Sequence, residues 1–243
     1  EDCNLEATVN AIINSTYGCA GMRCMALPVV CVQESIADEF VSLLKKKAEA
    51  MKLGCAYDED TDLGPVVNAG HKEKICNWIQ KGIDEGAELV LDGRNAVVPG
   101  YENGFFVGPT ILDHVTPEMT VGNREIFGPV TCIKRVKDYE EGIAVMNANP
   151  FANGSCIFTQ SGYYSRKFAM ETDGGMVGIN VGIPVPTAYF PFSGNKDSFF
   201  GDLHVLGKDG YRFFTRAKTV TTHWFDEAAG KRKVGTWEGS TEA

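Results

Sequence analysis

Apolar residues recur along the chain with two different periods, and the alternation between them predicts its architecture. Leu5, Val9, Ile12 and Ile13 share one stripe at i, i+4, i+7 and i+8, which predicts a helix over 4–16 that stops at Tyr17-Gly18. Residues 25–32 are an apolar run containing Val29, Val30 and Val32, the pattern of a buried strand. Ser35 with Asp38 three positions on reads as a capping-box-like start. The helix behind it places Ile36, Phe40, Leu43, Leu44, Ala48 and Met51 on one face, with Gly54 as the expected stop. Lys45, Lys46 and Lys47 in its last turns complement the helix dipole and form a solvated face.

After a polar turn region at 58–64, a second long helix is predicted near 69–85 with Ile75, Trp78, Ile79 and Ile83 inward. Strands follow at 88–91, 109–115 and 127–136, then a helix at 139–147, a strand at 155–159, a helix at 163–172 and a strand at 176–181. Beyond the Pro- and Gly-rich stretch 182–201, residues 203–214 read as helix and 219–224 alternate as a β-branched strand. Helices alternating with apolar strands predict an α/β fold, a mostly parallel twisted sheet covered by helices. The expected organisation is a body over 1–215, a strand over 216–225 and a flexible tail over 226–243.

Composition narrows the function classes. At 243 residues the chain can bury a full core. A net charge of −9 leaves no basic surplus to neutralise phosphates, which argues against nucleic acid as the main partner. No apolar run approaches a membrane span, and no signal-peptide pattern opens the sequence. The eight cysteines (3, 19, 24, 31, 55, 76, 132 and 156) include no Cys-x-x-Cys pair and read as reduced and intracellular. His71, His114, His204 and His223 are far apart and none has zinc spacing, so no metal is expected. No Gly-x-Gly occurs, so the usual dinucleotide fingerprint is absent.

Candidate chemistry concentrates at Cys24, the end of Gly18-Cys19-Ala20-Gly21-Met22-Arg23-Cys24. A glycine-containing turn lets a ligand approach the sulfur closely. A neighbouring guanidinium favours thiolate, the nucleophilic form. Taken locally, Cys24 is either such a nucleophile or a small filler, as most free cysteines are.

Three separated motifs carry a family resemblance: Gly21-Met22-Arg23-Cys24, Glu125-Ile126-Phe127-Gly128-Pro129-Val130, and Pro191-Phe192-Ser193-Gly194-Asn195-Lys196-Asp197-Ser198, followed by Lys218-Thr219-Val220-Thr221. Their order and spacing over roughly residues 1–225 resemble the aldehyde dehydrogenase superfamily, whose motifs are Gly-Gln-x-Cys, Glu-x-Phe-Gly-Pro and Pro-Phe-Gly-Gly-x-Lys. Asn149-Pro150-Phe151-Ala152-Asn153-Gly154-Ser155 resembles that family's turn before a strand. Arg23 before the nucleophile, Met25-Ala26-Leu27 after it, the Ile179 to Pro186 segment and the Phe199 to Leu203 run look like its acylating methylmalonate-semialdehyde branch.

The resemblance implies an NAD-dependent oxidoreductase acting on a small semialdehyde, with coenzyme A as co-substrate and an acyl thioester on Cys24. It further implies that Glu125 grips the nicotinamide ribose, that Phe127 lies beside the nicotinamide, and that the Cys24 N–H serves the oxyanion. Arg23 either holds the substrate carboxylate or pairs with a structural acid, and Phe192 either lines the substrate mouth or packs. Cys19 is a small filler or a resolving thiol. Two departures stand out: Met22 occupies the position of the family glutamine, and Ser193 that of a glycine.

Family members are about twice this length, which implies a catalytic half without its nucleotide-binding half and little turnover by the chain alone. A homo-oligomer, dimer or tetramer, is implied for the full-length protein, with 216–225 as its oligomerisation strand. The implied location is the cytoplasm, or the mitochondrial matrix of a eukaryote. Competing readings are a hydrolytic, CoA-independent aldehyde dehydrogenase, a cysteine hydrolase using a histidine, and a non-catalytic relative of the fold.

Overall fold

The computed structural model describes residues 1–224. The chain begins with α1 (Leu5–Tyr17), capped by the Asn4 side chain, which accepts from the Ala7 N–H at 3.0 Å. A tight turn over Gly18–Gly21 leads into the Cys24 loop, then β1 (Val29–Gln33) and α2 (Glu34–Glu49). Next come α3 (Ala69–Asp84), β2 (Glu88–Leu91), β3 (Thr110–Asp113), the short α4 (Thr120–Asn123) and β4 (Val130–Val136). The last part contains α5 (Tyr139–Asn147), β5 (Phe151–Ala152), β6 (Gly154–Ile157), α6 (Gly162–Glu171), β7 (Met176–Ile179), β8 (Asn195–Lys196) and α7 (Gly207–Phe213).

The main sheet has the order β1-β4-β3-β2, parallel except for the antiparallel β2–β3 edge. β6 pairs with β7 in parallel, and β5 pairs with β8 antiparallel. Strands β3 and β4 are buried on both faces, as parallel strands covered by helices are, and they bury Thr110, Asp113, Thr131 and Lys134 beside their apolar residues. The core sits where Val9 and Ile12 of α1, Phe40 and Leu44 of α2, and Ile75 and Ile79 of α3 meet Ile111, Leu112, Val130 and Ile133. This is the α/β fold expected from the pattern, with helices over a mainly parallel sheet.

Several local expectations are corrected. The run over 25–32 becomes strand only from Val29. The Leu27 carbonyl accepts from the Thr16 hydroxyl at 2.7 Å, and its N–H donates to Ser15 Oγ at 3.1 Å, so side chains of α1 take the groups a ladder would use. Ser35 is not the cap of α2. Its hydroxyl donates to Glu1, Asp38 pairs with Arg135 at 2.8 Å, and the helix already starts at Glu34. Gly54 does not stop α2, which ends at Glu49. It permits a close approach instead, since a Cβ there would lie 2.4 Å from Thr61 Oγ1. The strand placed at 127–136 starts at Val130, because Phe127 turns with φ +61°.

The helix over 203–214 shortens to Gly207–Phe213, because Val205 forms a bridge to Phe192 and Leu206 has φ +69°. Over 216–224 every residue is exposed, and none is paired in a strand with another described residue of this single chain. The expected tail at 226–243 lies outside the described residues.

Candidate active site

The Cys24 loop is stapled at both ends before it carries any chemistry. Tyr17, fully buried at the end of α1, donates to the Thr110 carbonyl of β3 at 3.3 Å and accepts from the Thr131 hydroxyl of β4 at 2.8 Å. Those bonds fix where the loop leaves the sheet. Ser15 and Thr16 then close it by binding Leu27, and Ser15 Oγ donates to the Gly182 carbonyl at 2.6 Å. That last bond ties the segment carrying Ile183 and Val185 to α1.

Between the staples, Cys19, Ala20 and Gly21 are successive left-handed residues, with φ of 52°, 53° and 70°. At Gly21 the conformation and the space both demand glycine: a Cβ would stand 2.1 Å from the Gly128 carbonyl oxygen. The first two sequence motifs, a hundred residues apart, therefore meet backbone to backbone at Gly21 and Gly128. Gly128 is in turn seated on Ile75 of α3. The Asn149 to Ser155 turn arrives from the other side. Asn153 Nδ2 donates to the Cys24 carbonyl at 3.0 Å and to Met25 Sδ at 3.2 Å, and Gly154 leaves no room for a Cβ beside the Met25 methyl.

Cys24 is exposed at the lip of a depression of about 550 Å³ that Arg23, Met22, Met25, Asn14, Ile183 and Val185 also line. The Arg23 Nε–H donates to Cys19 Sγ at 3.2 Å and Nη1 donates to the Asn14 carbonyl at 3.1 Å. Among the described residues no carboxylate lies within ion-pair distance of Arg23. The Cys24 N–H has no protein acceptor among the described residues. Burial pushes other thiols up, Cys31 to about 11 and both Cys132 and Cys156 to about 12.

Glu125 and Phe127 lie on the turn that Gly128 presses against the cysteine loop. Glu125 is exposed, with no ion-pair partner among the described residues. Phe127 is half-buried, and the His71 ring holds its backbone by donating from Nε2 to the Phe127 carbonyl at 2.7 Å, with the two rings edge-on at 6.4 Å. Phe192 is placed differently. It is half-buried, its backbone bridges Val205, and it does not line the depression around Cys24.

The rest of the third motif serves the β5–β8 pair. Lys196 reaches Asp173 at 2.6 Å and donates to the Asn147 and Asn149 carbonyls, and Ser198 Oγ accepts from the Ala152 N–H at 2.9 Å. Met22 packs partly buried against the core, so an apolar side chain fills the place of the family amide. Sequence reasoning missed Ser15 and Asn153 as supports of the loop. Asn153 lies in a motif read only as a turn, and Ser15 carries no sequence signal at all. Among the described residues no group of three or more His, Cys, Asp or Glu could hold a metal ion.

The profile of the aldehyde dehydrogenase family matches residues 1–220. Malonate-semialdehyde dehydrogenase 2 of Oceanobacillus iheyensis is 52% identical over 223 residues, covering 92% of this chain and 46% of that protein. Among solved structures, methylmalonate-semialdehyde dehydrogenase from Oceanimonas doudoroffii superposes with a TM-score of 0.91 at 43% identity, covering 96% of this chain and 47% of that one. A protein of Sinorhizobium meliloti 1021, provisionally assigned the same activity and solved with NAD, gives 0.90 at 43% identity, covering 93% and 46%. The chain spans about half the length of the curated relatives it matches.

Proposed function

The chain belongs to the aldehyde dehydrogenase family, and on that premise we propose that it supplies the nucleophilic half of an NAD-dependent oxidoreductase converting malonate or methylmalonate semialdehyde to an acyl-CoA. The observation that carries this reading is the pairing, in one depression, of an exposed thiol with a guanidinium that uncharged acceptors hold and that no acid among the described residues neutralises. A plain aldehyde needs only the sulfur; a carboxylate on the substrate gives the guanidinium a partner.

In this mechanism the Cys24 thiolate adds to the aldehyde carbon and forms a thiohemiacetal. The Cys24 N–H, which has no acceptor among the described residues, serves the oxyanion, while Arg23 binds the far carboxylate and orients the chain between them. Oxidation of the adduct leaves an acyl thioester on Cys24. The thiol of coenzyme A attacks that carbonyl, the Cys24–carbon bond breaks, and the enzyme thiolate is regenerated. Residues present here fit NAD: Glu125 is an exposed carboxylate able to accept from both ribose hydroxyls, and Phe127 is an aromatic ring fixed by His71 on the same turn. When bound, NAD supplies the hydride acceptor.

The test is NAD reduction by the full-length protein with malonate semialdehyde, with and without coenzyme A. Turnover is expected to require coenzyme A, and Cys24→Ala to lower it by at least about a thousandfold. Arg23→Ala is expected to raise KM for the carboxylated aldehyde roughly 10- to 100-fold while sparing an uncharged aldehyde. Undiminished turnover without coenzyme A would place the protein among hydrolytic aldehyde dehydrogenases.

A further inference from the structure

Arg23 is held in an unusual way. Two of the five guanidinium N–H groups are engaged, one by a backbone carbonyl at the end of α1 and one by the sulfur of Cys19. The guanidinium also lies directly against Gly18, where a Cβ would stand 2.7 Å from Nη1 and 2.8 Å from Cζ. The platform beneath it is rigid. Cys19 and Ala20 both occupy the left-handed region, Ala20 is buried, and Gly21 is locked onto Gly128. Left-handed backbone is strained at a non-glycine residue, and it persists only where the surroundings fix it.

The acceptors are chemically selective. A carboxylate at position 19 would orient Arg23 equally well but would neutralise it. An alanine would leave Nε without a partner and the fork free to swing. A thiol orients the fork by a weak, uncharged contact and leaves the positive charge for a ligand.

We propose that Cys19 is a positioning residue for Arg23: its sulfur, together with the Asn14 carbonyl, aims the guanidinium into the Cys24 depression and so sets the preference for carboxylate-bearing electrophiles over neutral ones. The proposal rests on the reading of Arg23 as the carboxylate clamp and gives Cys19 a role separate from any nucleophilic or redox chemistry of its own.

It is tested on the chain itself by alkylating Cys24 with iodoacetate and with iodoacetamide, two reagents that differ in carrying a carboxylate or a neutral amide. Initial rates at Cys24 are read by peptide mass spectrometry at low ionic strength, where charge selection is least screened. The iodoacetate-to-iodoacetamide rate ratio is the readout. Arg23→Ala is expected to lower it about tenfold, Cys19→Ala about fivefold, and Cys19→Ser, which keeps an acceptor, to stay within about twofold of the native chain. The iodoacetamide rate is expected to change by less than about twofold in both Cys19 variants, since that reagent carries no carboxylate for the fork to bind.

If Arg23→Ala leaves the ratio unchanged, the clamp itself is wrong and the positioning role falls with it. If Arg23→Ala lowers the ratio but Cys19→Ala does not, only the role of Cys19 is overturned. A parallel loss of both rates in Cys19→Ala would assign Cys19 a general structural function and overturn the proposal as well.

Discussion

Gly21 shows how little of a catalytic loop can be changed without moving its nucleophile. Its φ of +70° and the 2.1 Å separation between a hypothetical Cβ and the Gly128 oxygen are independent reasons for glycine, and they act at the contact between two motifs. Gly21→Ala is therefore expected to destabilise the chain by roughly 2–4 kcal/mol, more than conformational strain alone, because the obstructing atom is backbone and cannot rotate away. Urea denaturation would check this; a loss under about 1 kcal/mol would mean that the two turns separate easily. Cys24 itself was legible as a candidate from small neighbours and an adjacent arginine. What raised it above the other seven cysteines was the order of three motifs, since nothing local shows that Gly128 lies against Gly21. That no described carboxylate lies near Arg23 was likewise invisible in the sequence, because it depends on where the carboxylates land.

At the scale of elements, the pattern of apolar positions located α3, β2 and α5 nearly to the residue, because each has clear periodicity and polar flanks. It failed where side chains captured backbone groups. Thr16 and Ser15 capture both backbone groups of Leu27 ahead of β1, and the engaged side chains of Ser35 and Asp38 leave no capping box at α2.

Three strands carry thiols whose ionisation is linked to folding: Cys31 on β1, Cys132 on β4 and Cys156 on β6. Burial raises them from an ordinary 9.0 to about 11, 12 and 12. A thiol raised in the folded state binds its proton more tightly there than in the unfolded chain. Its stabilising contribution is therefore complete below pH 9 and is lost as pH climbs toward the folded value. Denaturation midpoints are expected to fall between pH 9 and pH 11, and Cys132→Val, which removes the fully buried thiol, to make that fall shallower. An unchanged slope in the variant would show that Cys132 does not contribute to alkaline unfolding.

The molecule as a whole divides into a well-packed part and a sparsely packed one. The main sheet with α1, α2 and α3 holds most of the buried apolar residues. Beyond residue 180, large apolar side chains face solvent, including Phe200, Tyr211, Phe214 and Trp224, each at least 80% exposed. Amide hydrogen exchange should follow this division, slow in β3, β4 and α3 and fast over 198–224. Uniform protection across both parts would contradict it. The expectation that the chain alone turns over little aldehyde belongs to this scale too: Glu125 and Phe127 are two contacts on one turn, and the relatives it matches are about twice as long. NAD reduction by the isolated chain would overturn that expectation.

The most direct measurement is mass mapping of the full-length protein, acid-quenched after incubation with malonate semialdehyde and NAD in the absence of coenzyme A. An acyl group is expected on Cys24, disappearing when coenzyme A is added and never forming in Cys24→Ala. An acyl group on a different residue, or turnover with Cys24 never modified, would contradict the account.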